Sequence, residues 1–206
     1  STFAGDGDWL YNFIFGISAV SFVLITGIMV LYAWKYRRRP GVKPVPSGHN
    51  TALEIFWTFT PLLVLAFLFH EGFKGYMDQV VAPEDAIEIH VDAQQWAWTF
   101  THPNGVSELN ELHIPVDRPV KVVMSSRDVI HSFYVPVFRV KRDVVPGMFT
   151  SLWFQATATT AKDKPVTLFC AEYCGAPSPE ETAQTPNGWG SMMNTNHSTM
   201  LANVHI

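Results

Sequence analysis

From Trp9 to Trp34, 26 consecutive residues pass without a formal charge, and no other feature constrains the fold of this chain so strongly. A helix needs about 20 apolar residues to cross the hydrocarbon core of a bilayer, so the stretch predicts a transmembrane span at about residues 9–34. A secretory signal peptide is the competing reading. Its apolar stretch would be about half as long and preceded by basic residues, whereas Asp6 and Asp8 lead in here. The chain begins at Ser1 rather than Met, which fits prior removal of a leader and would leave the amino terminus outside.

A second uncharged run, Ile55 to Phe69, has 15 residues. Alone it is marginal for a span and would suit a buried helix of a soluble domain. The connection between the two runs decides for the membrane. Lys35, Arg37, Arg38, Arg39 and Lys43 crowd it, and such an excess of basic residues marks the cytoplasmic side. Pro40, Gly41, Pro44, Pro46 and Gly48 in the same stretch break any helix. Residues 1–82 are therefore expected to form a transmembrane hairpin, with spans at about 9–34 and 52–77, a basic cytoplasmic loop at 35–50, and both chain ends outside.

From Pro83 the pattern changes to short β-type runs punctuated by Pro, Gly, Asn and Asp, as in an antiparallel sandwich or barrel. Expected strands are Ile87 to Val91, Trp96 to Thr101, Val120 to Ser125, Ser132 to Val135, Thr150 to Thr157 and Val166 to Cys170, all rich in β-branched and aromatic residues. Asn104-Gly105 supplies a hairpin turn. Residues 83–206 are thus expected to form one extracytoplasmic β domain. No internal repeat, glycine-rich phosphate loop or basic patch suited to nucleic acid is present. From Glu84 onward 8 Lys and Arg face 13 Asp and Glu, a net charge of −5. An acidic domain of this kind steers basic protein partners toward itself, although a merely soluble surface has the same balance.

The two cysteines stand as Cys170-Ala171-Glu172-Tyr173-Cys174, followed by Gly175. A pair this close on an extracytoplasmic domain could form a disulfide. Other residues point to a metal. Thiolates and a thioether are soft ligands that suit copper and imidazole completes a copper set; His197-Ser198-Thr199-Met200 and His131 supply these groups. Zinc usually takes another cysteine pair at closer spacing, which the chain lacks.

The segments Asp128-Val129-Ile130-His131-Ser132, Cys170-x-Glu172-x-Cys174-Gly175 and His197-Ser198-x-Met200 resemble, in order and ligand type, the CuA motifs of cytochrome c oxidase subunit II. Asp143-x-x-Pro146-Gly147 and both apolar runs are similar to that family as well. The resemblance implies a two-helix transmembrane hairpin followed by an all-β, cupredoxin-like Greek-key sandwich or barrel. It also implies a dinuclear copper centre bridged by Cys170 and Cys174. His131 and His197 would be its nitrogen ligands, Met200 would bind one copper, and the main-chain carbonyl of Glu172 the other. The Glu172 carboxylate would face a magnesium site shared with oxidase subunit I. Trp96, in Gln95-Trp96-Ala97-Trp98, would receive electrons from cytochrome c, and Glu54 would stand near the mouth of a proton pathway into subunit I. A core tryptophan and a helix-start carboxylate favoured by the dipole are the plain alternatives for these two.

The complex so implied oxidises cytochrome c, reduces oxygen to water and moves protons across a bacterial plasma membrane, with the copper domain on the outer, periplasmic face. The oxygen-reducing site would lie elsewhere, because this chain has no helical bundle carrying haem ligands. Asp128, beside His131 in sequence, is placed to orient that ligand. One departure stands out. The family spaces its second cysteine and second histidine about four residues apart, whereas Ala176 to Asn196 intervene here, read as an insertion. It leaves His205 as a reserve ligand, and Met192 and Met193 as residues that fill gaps or face solvent. His49, His90, His102 and His113 match no ligand position and read as surface or structural residues.

Overall fold

The computed structural model describes residues 1–43, 46, 48–176 and 195–206. Pro44, Met192, Met193 and nearly all of the insertion lie outside the described residues. Helix α1 runs over Thr2–Lys35 and α2 over Thr51–Val80, and both are long and apolar enough to cross a membrane. α1 begins well before the uncharged stretch, taking in Asp6 and Asp8. Acidic groups near a helix amino terminus suit the helix dipole, so the first turns can continue beyond the apolar run. Asn50 starts α2, its side chain accepting from Leu53 N at 3.1 Å, as a helix cap should. No residue of either helix is buried; an apolar surface all round is the pattern of a membrane span. The helices meet in antiparallel fashion, with Phe67 of α2 against Phe13 and Trp9 of α1 at ring-centroid distances of 5.3 and 6.3 Å.

Residues Ser1–Gly5 and Tyr76–Ile206 form a separate unit. Its described strands are β1 (Ile87–Gln94), β2 (Ala97–Thr101), β3 (Ser107–Leu109), β4 (Glu111–His113), β5 (Pro119–Ser126), β6 (His131–Val135), β7 (Val140–Val144), β8 (Thr150–Gln155), β9 (Val166–Cys170) and β10 (Leu201–His205). They form two five-stranded sheets in the orders β3-β2-β1-β5-β8 and β4-β10-β9-β6-β7. The pairs β1·β5 and β10·β4 are parallel and the rest antiparallel. This is the cupredoxin-like sandwich expected behind the two helices.

Alternation builds the core. Every second residue of β5 and of the middle of β1 is buried, because side chains of a strand point to opposite faces of its sheet. Trp98, Phe100, Phe133, Phe154, Ile89 and Leu168 fill the space between the sheets, each essentially inaccessible. Asn104-Gly105 lies in the turn joining β2 to β3, with Gly105 at φ +83°. Asn110 then carries the chain from one sheet to the other. Its side chain accepts from Trp98 N at 2.9 Å, its main-chain N–H donates to Trp98 O at 2.8 Å, and its carbonyl accepts from Asn203 N at 2.9 Å. Asparagine tolerates the left-handed backbone required here, φ +57°.

Candidate metal centre

The three adjacent strands β10-β9-β6 gather the candidate ligands. His131 opens β6, Cys170 closes β9, and Met200 immediately precedes β10. Neighbouring strands lie about 4.8 Å apart, so ligands distant in sequence meet at one end of one sheet. Main-chain bonds fix the register: Cys170 N donates to Met200 O at 3.2 Å, Ala171 N to Ser132 O at 3.0 Å, and His197 N to Gly175 O at 3.0 Å. His197–Thr199 form one 3-10 turn, closed by reciprocal capping between Asn196 and Thr199.

The two thiols are free, with their sulfurs 3.7 Å apart. Cys170 Sγ lies 3.9 Å from His131 Nδ1 and 3.2 Å from the carbonyl oxygen of Glu172. Cys174 Sγ lies 3.6 Å from His197 Nδ1 and 3.7 Å from Met200 Sδ. Ligand atoms of His131, Cys170 and Cys174 all fall within 4.8 Å of one another, and these three side chains and Met200 are buried. Two thiols, two imidazoles, a thioether and a carbonyl within one largely buried cluster are a donor set that suits copper. The structure thus brings His131, Cys170, Glu172, Cys174, His197 and Met200 together. It leaves His205 elsewhere, at the far end of β10, bonded to Glu111 at 2.6 Å.

Surrounding groups hold the ligands. Asp128 Oδ1 lies 2.8 Å from His131 Nε2, which turns the other ring nitrogen toward Cys170. Burial alone would raise the Asp128 carboxyl, but hydrogen bonds from Gln95 N, His131 and Val129 N together hold it below its ordinary value. Gln95 has a second contact that sequence reasoning missed: its Nε2 donates to Cys174 O at 2.7 Å. Only its place beside Trp96 hinted at a role. A Cβ on Gly175, at φ +106°, would come within 2.7 Å of that same Nε2, so the loop needs glycine there. Trp96 is half-buried, and its ring would lie 3.9 Å from the same Cβ. The indole of Trp98 packs edge-on against His131, with centroids 6.1 Å apart.

Two other candidates have ordinary partners. The Glu172 carboxylate lies 3.4 Å from Lys141 Nζ, and Glu54 lies 2.9 Å from His49 Nδ1.

The thiols are unequal. Burial opposes ionisation of both, yet His131 and main-chain groups of Ser132 and Glu172 pull Cys170 down to about 7. For Cys174, burial and then the neighbouring Cys170 charge push the thiol up to about 12. In the reduced, metal-free chain, alkylation mapped by mass spectrometry is expected to modify Cys170 with a midpoint near pH 7, while Cys174 stays protonated. For Cys170 the folded value is the depressed one. Its stabilising contribution is therefore complete above the ordinary thiol value of 9.0 and is lost as pH falls through about 7. Equal labelling of both cysteines across that range would contradict this polarity.

Known families match both parts of the chain. Residues 1–74 match the family described as cytochrome C oxidase subunit II, transmembrane domain, and residues 104–179 the one described as its periplasmic domain. An alternative cytochrome c oxidase subunit 2 of Bradyrhizobium diazoefficiens is 29% identical over 80% of this chain and 69% of its own length. A cytochrome c oxidase subunit 2 of Synechocystis sp. is 31% identical over 82% of this chain and 64% of its own. The solved periplasmic domain of cytochrome oxidase subunit II from Bradyrhizobium japonicum is 23% identical, with a TM-score of 0.47 over 61% of this chain and 86% of that one. The two domain models follow one another along the chain as helices and then sandwich, and the chain belongs to the cytochrome c oxidase subunit II family.

Proposed function

We propose that this chain is the electron-accepting subunit of a bacterial cytochrome c oxidase, anchored in the plasma membrane with its sandwich on the periplasmic face. The observation that carries the reading is the pair of unjoined thiols 3.7 Å apart, each beside an imidazole nitrogen. In this reading Cys170, Cys174, His131, His197, Met200 and the Glu172 carbonyl would hold a pair of copper ions, with the two thiolates as the shared donors. Bound copper would supply one-electron transfer between cytochrome c and the haem of subunit I, where oxygen would be reduced to water with proton translocation.

The rest of the work belongs to the chain. Asp128 fixes the His131 ring, and Gln95 fixes the Cys174 carbonyl. Ligands on a rigid framework change geometry little between redox states, and burial keeps water away from the sulfurs. Trp96, beside the ligand loop, takes the role of first electron acceptor, and the acidic balance of the sandwich draws in a basic donor. The Glu172 carboxylate, 3.4 Å from Lys141 Nζ, would supply one oxygen ligand of a magnesium ion shared with subunit I. Glu54, at the head of α2, serves proton uptake into subunit I together with its partner His49. Subunit I and other oxidase subunits are the membrane partners.

Copper quantification with electron paramagnetic resonance on the full chain in detergent tests the reading. Two tightly held coppers with a mixed-valence signal are expected. One labile ion would mark a copper carrier instead, and a metal-free Cys170–Cys174 disulfide would end the electron-relay account.

A further inference from the structure

The two-residue turn Gln95-Trp96 joins β1 to β2, with Gln94 paired to Ala97 across it. These strands belong to one sheet, whereas the strands that bring His131, Cys170 and Met200 together belong to the other. The turn nevertheless reaches both sides of the ligand cluster. The Gln95 main-chain N–H donates to Asp128 Oδ2 at 2.6 Å, and the other oxygen of that carboxylate lies 2.8 Å from His131 Nε2. The Gln95 side chain donates from Nε2 to Cys174 O at 2.7 Å.

The packing around this contact fits a built connection. A Cβ on Gly175 would come within 2.7 Å of Gln95 Nε2 and 3.9 Å of the Trp96 ring, so the ligand loop and the turn press together at the one residue without a side chain. The next carbonyl along the loop, Gly175 O, accepts from His197 N at 3.0 Å. Consecutive carbonyls of Cys174 and Gly175 are thus held by Gln95 on one side and His197 on the other, as the polar main chain of an irregular loop requires. Behind the turn, Arg127 N donates to Ala93 O at 3.0 Å, which fastens β1 to the segment leading into Asp128.

We propose that Gln95 is a positioning residue that latches the turn carrying Trp96 onto the Cys174 side and the His131 side of the cluster at once. The ligand loop is then set before any metal binds, and the Trp96 ring keeps its place against that loop. The side chain holds Cys174 and the main chain holds Asp128, so a substitution at Gln95 releases the first contact and spares the second. The role of Trp96 rests on the electron-accepting function proposed above; the latch does not.

Amide hydrogen exchange read by mass spectrometry on the full, metal-free chain in detergent tests the latch. Gln95→Met keeps the length of the side chain without its donor, and Gln95→Glu turns a carboxylate toward the Cys174 carbonyl. In both, the His197 amide is expected to exchange about 2- to 10-fold faster, the effect of losing one partly exposed hydrogen bond, while the strand amides of β1 and β5 keep their protection. With copper loaded, reduction of Gln95→Met by reduced cytochrome c is expected to slow about 10-fold, since a shift of about 1 Å can cost about 100-fold where geometry sets the rate. Reduction by hexaammineruthenium(II), a small complex that does not need Trp96, should hold its rate. Unchanged exchange at His197 in both variants would overturn the latch, and equal slowing with the two reductants would overturn its link to Trp96. A parent chain that holds no paired copper would defeat the electron-accepting function, and the exchange measurement would still decide the latch.

Discussion

Cys170→Ser and Cys174→Ser are each expected to abolish the paired-copper signal completely, rather than to weaken it. Each sulfur lies near its own imidazole as well as the other sulfur, so loss of either removes a shared donor and not a terminal one. A serine hydroxyl is a hard, poorly acidic group that does not replace a soft thiolate at copper. The variants should still fold, because sulfur-to-oxygen substitution is nearly isosteric. Burying a hydroxyl at these positions costs about 1–3 kcal/mol where it finds no partner. Circular dichroism of the β-sheet region therefore serves as the control, and copper content with paramagnetic resonance as the readout. A paired signal that survives in either folded variant would refute the bridging assignment.

The parts of the molecule that follow from periodicity and charge were the most legible in the sequence. The uncharged run and the basic connection announce two helices, and the helices observed contain both expected spans. Strands β1, β5, β8 and β9 stand where β-branched and aromatic residues cluster. The strands that escaped notice are short or locally misleading. β3 and β4 have three residues each, too few to display a period of two. β7 is buried only at its ends and carries Lys141, Arg142 and Asp143 between them, a charged run that reads as a loop. β10 contains Ala202 and Asn203, which are poor strand formers, and has Val204 as its only β-branched residue.

The candidate site divides along the same line. Cys170, Cys174, His131, His197 and Met200 were singled out by ligand type and order, and the adjacency of β10, β9 and β6 gives the physical reason they meet. The intact His197-Ser198-x-Met200 motif already favoured His197 and left His205 in reserve. Both histidines follow the insertion, but one sits in the turn before β10 and the other at its far end, engaged with Glu111. Gln95 was illegible, because its contacts are made with segments that meet it only in three dimensions.

Trp98→Ala is expected to cost about 3–5 kcal/mol of stability, the range for a fully buried aromatic side chain. Trp98 is wholly inaccessible, and its ring packs edge-on against Phe133, 5.9 Å away, as well as against His131. Truncation therefore opens a void that adjoins a copper-ligand candidate, and the strand backbone on either side is held too firmly to fill it. Two effects should appear together: a lower denaturation midpoint of the β-sheet signal, and faster copper release to a chelator as His131 loses its wall. Trp98→Phe separates packing from hydrogen bonding. The indole Nε1 is buried without a partner among the described residues, so removing it deletes no bond, and a phenyl ring preserves much of the aromatic contact. The Phe variant should keep its copper and lose far less stability. An alanine variant with an unchanged midpoint and unchanged copper release would show that the sandwich does not depend on this side chain to close over His131.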